Sequence, residues 1–268
     1  MPAALTFLAR KSSSRVIVHC HGTDPKYNIK HFIAKRLFAP VIDIFSTDCC
    51  ACSLAAAKCK YNKRSLKRLI LLNNGIDLTR FKSDDSKRQE YRRIIGASDN
   101  EKIIGHVARF DKNKNQSFLV ELLCDILKKD SSYKLLLVGD GITLPDIKSL
   151  INKFHLNDKV ILTGNVSNVQ DYMQAMDLFA FPSKHEGLGI VGIEAQACGL
   201  PCVFSTGVPS EAKITDNVEF ISLADKSKWI ETIERMITVP KADNAEQIRE
   251  AGYDINDTAE KLKNLYLN

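Results

Sequence analysis

Short apolar runs alternate with amphipathic stretches along most of this chain, and the alternation predicts a parallel sheet. Strand-like runs read Val16–Cys20, Ile44–Asp48, Leu69–Asn73, Lys102–Ala108, Lys134–Gly139, Val160–Thr163, Leu178–Phe181, Pro201–Ser205 and Val218–Leu223. Helical spacing marks Ile29–Phe38, Asp85–Ile95, Gln116–Lys128, Pro145–Phe154, Asn168–Met176, Gly187–Cys198, Lys226–Ile237 and Ala245–Ala251, with a last helix over Asp257–Leu267. Nearly continuous apolar strands separated by helices are buried on both faces, the pattern of an α/β fold with parallel strands. The polar run Phe81–Lys87 reads as a linker. About six strands follow it, enough for one doubly wound domain, and about three precede it, half of a Rossmann-like unit.

Composition narrows the classes. At 268 residues and 44% hydrophobic, the chain is long enough for one large domain or two small ones with a real core. The formal charge of +6 suits an anionic ligand or a loose, peripheral membrane association and is too mild to argue nucleic acid. Its Lys and Arg residues are scattered, and no aromatic-interleaved basic stripe occurs. No run of about 18 apolar residues exists, and Met1–Lys11 makes a poor signal peptide. The expectation is a cytoplasmic protein whose eight cysteines stay reduced as ordinary core thiols. Cys49 and Cys52 make one C-x-x-C spacing without a second pair, so metal is not expected.

The chemistry concentrates in Glu186-Gly187-Leu188-Gly189-Ile190-Val191-Gly192-Ile193-Glu194, directly after a predicted strand. Glycines at a strand-to-helix turn leave backbone N–H groups bare, and the helix end favours an anion. Carboxylates on either side accept hydrogen bonds from hydroxyls. A phosphate cradle flanked by two hydroxyl-gripping carboxylates is what a nucleotide sugar needs.

Three further loops carry candidates. Arg109 and Lys114 lie five apart after the strand at Lys102–Ala108 and can converge on a diphosphate, although without further context two solvent-facing bases describe them better. Gly139-Asp140-Gly141 ends the next strand, where glycine permits a tight turn or close ligand approach. It lacks the full G-x-G-x-x-G of a dinucleotide site, so no cofactor is expected. Thr163-Gly164-Asn165-Val166 ends another strand. His19 and His21 share one face of the first strand without an obvious third metal ligand.

Taken together, these segments resemble the retaining glycosyltransferases with the GT-B fold, the family-four group with its E-x7-E signature, from about His19 to the C-terminus. Arg109 to Lys114 resembles the family's G-R-x-x-x-x-K-N segment, with Ala108 where a Gly often stands. Asn73-Asn74-Gly75-Ile76-Asp77 resembles its P-N-G-I-D turn, with Asn73 in place of Pro. The resemblance implies two Rossmann-like parallel-sheet domains. Residues 1–80 would be an incomplete acceptor-side domain, 81–252 the nucleotide-sugar domain, and 253–268 a helix crossing back.

It implies donor-diphosphate contacts from Arg109, Lys114, Gly187, Leu188 and Gly189. Nucleotide contacts would come from Gly139, Gly141, Thr163 and Glu194. Glu186 would hold sugar hydroxyls, and His21 would stand near sugar or acceptor; these two are the catalytic candidates. The implied reaction moves a hexose, with UDP-sugar favoured as donor, to a hydroxyl of a saccharide or lipid-linked saccharide acceptor. It proceeds with retention and without a metal ion, in surface-polysaccharide synthesis at the inner face of the membrane. A truncated, non-catalytic nucleotide-sugar-binding fragment and a nucleotide-sugar epimerase are the alternatives.

Overall fold

A computed structural model of the chain describes residues 2–21 and 29–267. In chain order its elements are α1 (Pro2–Ser12), β1 (Ile17–Cys20), α2 (Ile29–Phe45), β2 (Asp48–Ala51), α3 (Leu54–Lys60), α4 (Lys63–Leu66), β3 (Leu69–Leu71), α5 (Asp85–Ile94), β4 (Lys102–Val107), α6 (Gln116–Ile126), β5 (Tyr133–Val138), α7 (Leu144–Lys153), β6 (Val160–Leu162), α8 (Val169–Ala175), β7 (Leu178–Phe181), α9 (Ile190–Ala197), β8 (Cys202–Ser205), β9 (Val218–Ile221), α10 (Lys226–Met236), α11 (Ala245–Glu250) and α12 (Ile255–Leu267). They divide into two compact units. The described parts of Met1–Gly75 and Gly252–Asn268 form one, and Ile76–Ala251 forms the other.

The first unit is built on three parallel strands in the order β1-β2-β3. Small side chains let α3 approach the sheet closely, and Cys49, Ala51, Ala56 and Ala57 fill that space. Tyr61 is buried among them, and its hydroxyl donates to the Val18 and Cys50 carbonyls, each at 2.8 Å. In α12, the Tyr266 ring stacks 6.1 Å from His19.

The expected helix end at Phe38 and the expected strand at Ile44–Asp48 both fail in this unit. The segment Ile44–Asp48 is not a strand, because α2 continues through Pro40 as far as Phe45. A run such as Val41-Ile42-Asp43-Ile44-Phe45 reads equally as helix or buried strand. Packing against α1 and burial of Ala39 and Ile42 carry the helix past the missing proline N–H. The strand shifts on to Asp48–Ala51, so the C-x-x-C stretch becomes buried sheet. Helix α1 itself was not read from the sequence.

The second unit holds six parallel strands in the order β6-β5-β4-β7-β8-β9. Strand order reverses between β4 and β7, which defines a doubly wound sheet with a crevice at that point. Successive strand residues feed opposite faces. Ile104, Leu135 and Leu178 pack with α6, α7 and α10, whereas Ile103, Leu136 and Phe179 pack with α8 and α9. Trp229 is fully buried on the first face and donates from Nε1 to the Ser222 carbonyl at 3.1 Å.

Polar clamps fix α5 against α8. Arg88 donates to the Gln174 and Met176 carbonyls and Arg92 to the Ala175 carbonyl, so both cations meet the negative end of α8. Asp177 receives both guanidiniums and the Ile103 N–H, the last at 2.7 Å. The run read as a linker is packed here too. Asp84 N donates to Gln174 Oε1, and Gln174 Nε2 donates to the Lys82 carbonyl, each at 3.1 Å.

Candidate functional site

Six loops leave the C-terminal ends of the strands in the second unit, and two of them meet at the β4/β7 crevice. The pairing of β4 with β7 spans Ile104↔Leu178 and Gly105↔Phe179. At the next position the His106 side chain reaches across instead, with Nδ1 2.8 Å from the Ala180 carbonyl. A carbonyl only accepts, so Nδ1 carries the hydrogen. Complete burial pushes the imidazole down to about 4, so it is neutral.

The loop after β4 is shaped by Asp111, whose Oδ1 accepts from the N–H groups of Asn113 at 2.9 Å and Lys114 at 3.0 Å. Asn115 then takes the left-handed conformation, φ 61°, that asparagine tolerates best among non-glycine residues. Asn113 stitches this loop to the one after β7. It donates to the His185 carbonyl at 2.8 Å and accepts at Oδ1 from His185 N at 3.1 Å, and its carbonyl accepts from Lys184 N at 2.8 Å. On the other side, Gly207 supplies the carbonyl for Glu186 N at 3.0 Å, and a Cβ there would stand 2.1 Å from the Lys184 carbonyl oxygen. Asn113 and Gly207 drew no attention in the sequence. Asn113 falls inside the Arg109–Lys114 segment and was the more discoverable of the two.

This framing brings Lys114 and Glu186 together. Nζ lies 2.6 Å from Oε1, and the side chains are only 22% and 10% exposed. Arg109 is not part of that pair. It is 78% exposed and rests on Asp111 at 3.1 Å.

The glycine loop departs from expectation at one point. Helix α9 begins at Ile190, so Gly187, Leu188 and Gly189 precede it rather than form its first turn. Gly189 has φ +80°, and a Cβ there would lie 2.7 Å from Phe181 Cε1, so only glycine makes this handover. Among the described residues no backbone carbonyl receives the N–H groups of Gly187, Leu188 or Gly189. Leu188 turns its side chain into the core.

Glu194 follows about one turn into α9. Its carboxyl is half-buried and has no hydrogen-bond partner among the described residues. Burial pushes it up to about 6, with Arg80 pulling the other way.

Beside the crevice lies an open cleft of about 820 Å³, lined in part by Arg109, Gly139, Gly141, Ile142, Asn165 and Val166. The two glycines are needed for packing between loops. A Cβ on Gly139 would meet the Ala108 carbonyl oxygen at 2.1 Å, and one on Gly141 the Phe110 carbonyl oxygen at 2.3 Å. Thr163 does not line the cleft. Its hydroxyl donates to the Gly164 carbonyl at 2.9 Å, leaving Asn165 and Val166 to face the space. Ile142, 84% exposed at the mouth, was not singled out in the sequence.

His21 belongs to the first unit. Its exposed ring stacks 6.0 Å from His19, and Nδ1 lies 3.2 Å from Asn74 Oδ1. The neighbouring Gly22 lies outside the described residues. His19 is pushed below the usual histidine value by burial and then by His21. Among the described residues no group of three or more His, Cys, Asp or Glu side chains is placed to hold a metal ion.

The chain is similar to known proteins in sequence and in fold. The family model described as Glycosyl transferases group 1 matches residues 87–254. EpsF of Bacillus subtilis (strain 168), assigned as a glycosyltransferase, is 32% identical over 259 residues, covering 93% of this chain and 67% of EpsF. The UDP-Gal:alpha-D-GlcNAc-diphosphoundecaprenol alpha-1,3-galactosyltransferase of Escherichia coli is 26% identical over 213 residues, 75% of this chain and 54% of that enzyme. HepE of Anabaena, solved in complex with UDP-glucose, matches with a TM-score of 0.79 at 21% identity, covering 100% of this chain and 75% of HepE. The chain therefore spans between about half and three quarters of these proteins. The structural likeness shows the GT-B fold, and by the family match and the EpsF relationship the chain belongs to the group 1 glycosyl transferases.

Proposed function

We propose that this chain binds a nucleotide diphosphate sugar, a UDP-hexose by preference, and moves the hexose to an acceptor hydroxyl with retention of anomeric configuration. One observation carries the reading. At the β4/β7 crevice a close Lys114–Glu186 pair adjoins three unpaired backbone N–H groups, and an unpartnered carboxylate stands one turn further on.

In this reading the N–H groups of Gly187–Gly189 and the N-terminus of α9 receive the diphosphate. Arg109 and Lys114 add positive charge as the bond to the sugar breaks and charge grows on the leaving group. Glu186 holds sugar hydroxyls, and Glu194 grips the ribose diol. Donor binding therefore draws Lys114 away from Glu186 and gives each a ligand partner. Gly139, Gly141 and the loop from Thr163 to Val166 border the nucleotide. His21 serves the sugar or acceptor side. The charge is carried by these cations, without a divalent ion.

The UDP preference is supported by HepE, solved with UDP-glucose, and by the Escherichia coli relative, whose name gives UDP-Gal as donor and a diphosphoundecaprenol-linked sugar as acceptor. A lipid-linked saccharide acceptor in surface-polysaccharide assembly would bring the protein to the cytoplasmic face of the membrane. None of the described helices is long and apolar enough to cross it. A second reading is a chain that binds donor without transferring it.

Calorimetric titration with UDP, GDP and their hexose conjugates tests the donor site. Micromolar-range binding of UDP, lost in Glu194→Ala, is expected, and absence of binding to every nucleotide refutes the reading. Transfer from the bound donor to a lipid-linked saccharide then separates the two versions.

A further inference from the structure

The turn that opens the second unit carries a charge that sequence reading did not assign. Asp77 Oδ1 accepts from Thr79 N at 3.0 Å, and Arg80 N donates to the Asp77 carbonyl at 3.0 Å, which fixes the turn and presents Arg80. The Arg80 guanidinium then donates from Nη2 to Gln170 Oε1 on α8 at 3.1 Å.

The register of α8 against α9 places that guanidinium. Both helices are crossovers of one parallel sheet on the same face, so they run in the same direction. Gln174 Nε2 lies 3.6 Å from Cys198 Sγ, and Cys198 Sγ lies 3.9 Å from Met173 Sδ. One turn back along both helices, Gln170 stands level with Glu194. Arg80, held on Gln170, is thereby brought to the turn of α9 that bears the unpartnered carboxylate.

We infer that Arg80 is a positioning residue of the donor site, the counter-charge that keeps Glu194 ionised and ready to accept the ribose diol. The inference rests on the donor-site reading given above. The other charged and titratable groups around Glu194 do not fill this role. Cys198, on its own helix, is pushed up to about 12 by burial and stays neutral. Asp171 on α8 has the same sign as Glu194 and accepts from Tyr91 at 3.1 Å and Asn168 at 3.0 Å. Lys241, ahead of α11, donates to the Gln174 carbonyl at 2.7 Å, and burial pulls it down to about 8. Among the described residues, Arg80 also acts on the Glu194 carboxyl to hold it down against burial.

The test is UDP binding by calorimetry between pH 5.5 and 8 in wild type, Arg80→Gln, Arg80→Lys and Glu194→Gln, each first checked for folding by circular dichroism. Arg80→Gln is expected to move the acidic midpoint of binding up by about half to one pH unit. Affinity at pH 6.5 then falls by about 1.5- to 3-fold and the loss fades towards pH 8. Arg80→Lys keeps the wild-type midpoint. A residue with a merely structural role would weaken binding equally at every pH, and that result overturns the inference. An unmoved midpoint in Arg80→Gln, with UDP binding kept there and lost in Glu194→Gln, also overturns it and leaves the donor site standing. Absence of UDP binding in every variant defeats the donor reading instead. Carbon-13 NMR of the Glu194 carboxyl in the ligand-free protein then decides the coupling to Arg80, which an unchanged midpoint in Arg80→Gln refutes.

Discussion

Replacing Glu194 by Gln should make this protein more stable and unable to hold its donor. The substitution keeps the shape and removes the charge. In the folded chain the carboxyl rises from its ordinary value of 4.5 to about 6, because burial takes it from water and no hydrogen-bond partner compensates. The folded state thus binds more protons than the unfolded state between those two values. The contribution of this residue to stability is fully present below pH 4.5 and is lost as pH rises through 6. A displacement of about 1.5 units corresponds to about 2 kcal/mol, and partial exposure reduces the expected cost to about 1–2 kcal/mol at pH 7.5. Trp229 is the single tryptophan and is buried in the same unit as Glu194, so its fluorescence reports unfolding where the charge lies. Urea unfolding at pH 7.5 should show Glu194→Gln more stable by about 1–2 kcal/mol, with the difference vanishing near pH 4. The same variant should lose UDP binding, a stability gain at the cost of function. Equal or lower stability at pH 7.5 would mean the carboxylate is already satisfied, and the argument for its waiting on a ligand would fail.

Other predictions follow from single contacts. Lys114→Met strands a Glu186 carboxylate that is only 10% exposed and should cost about 2–4 kcal/mol. Adding Glu186→Gln should recover part of that loss, with a coupling above about 0.5 kcal/mol in a double-mutant cycle read by urea unfolding. Asp177→Asn removes the charge that pairs both Arg88 and Arg92, the latter 3% exposed, and should cost about 3–5 kcal/mol by the same measurement. Gly139→Ala, at φ +130° with a Cβ 2.1 Å from the Ala108 carbonyl oxygen, should lower the thermal midpoint by several degrees and weaken UDP binding. A neutral outcome would show that the loops after β4 and β5 yield easily.

The fold was legible where one signal dominated. The inner strands β5, β4, β7 and β8 are short runs buried on both faces, and all six strands, β4 to β9, emerge within a residue or two of their expected bounds. Signals competed elsewhere. The expected helix stopped at Phe38, but packing against α1 carries it through Pro40 to Phe45. The apolar spacing after Gly187 argued for a helix, but the left-handed Gly189 delayed it to Ile190. The candidate site was legible only as residue types. Its partnerships were not, because they join positions far apart in sequence. Lys114 finds Glu186 across 72 residues and Arg80 finds Gln170 across 90. The direction of Thr163 was equally hidden, since a hydroxyl on a loop can serve its own backbone as readily as a ligand.

The most direct test of the donor site is a crystal structure of this chain soaked with UDP. The account predicts the diphosphate on the N–H groups of Gly187–Gly189, the ribose diol on Glu194, and Lys114 Nζ moved off Glu186 towards phosphate. A UDP bound elsewhere, or a Lys114–Glu186 pair left intact beside a fully occupied nucleotide, would contradict it.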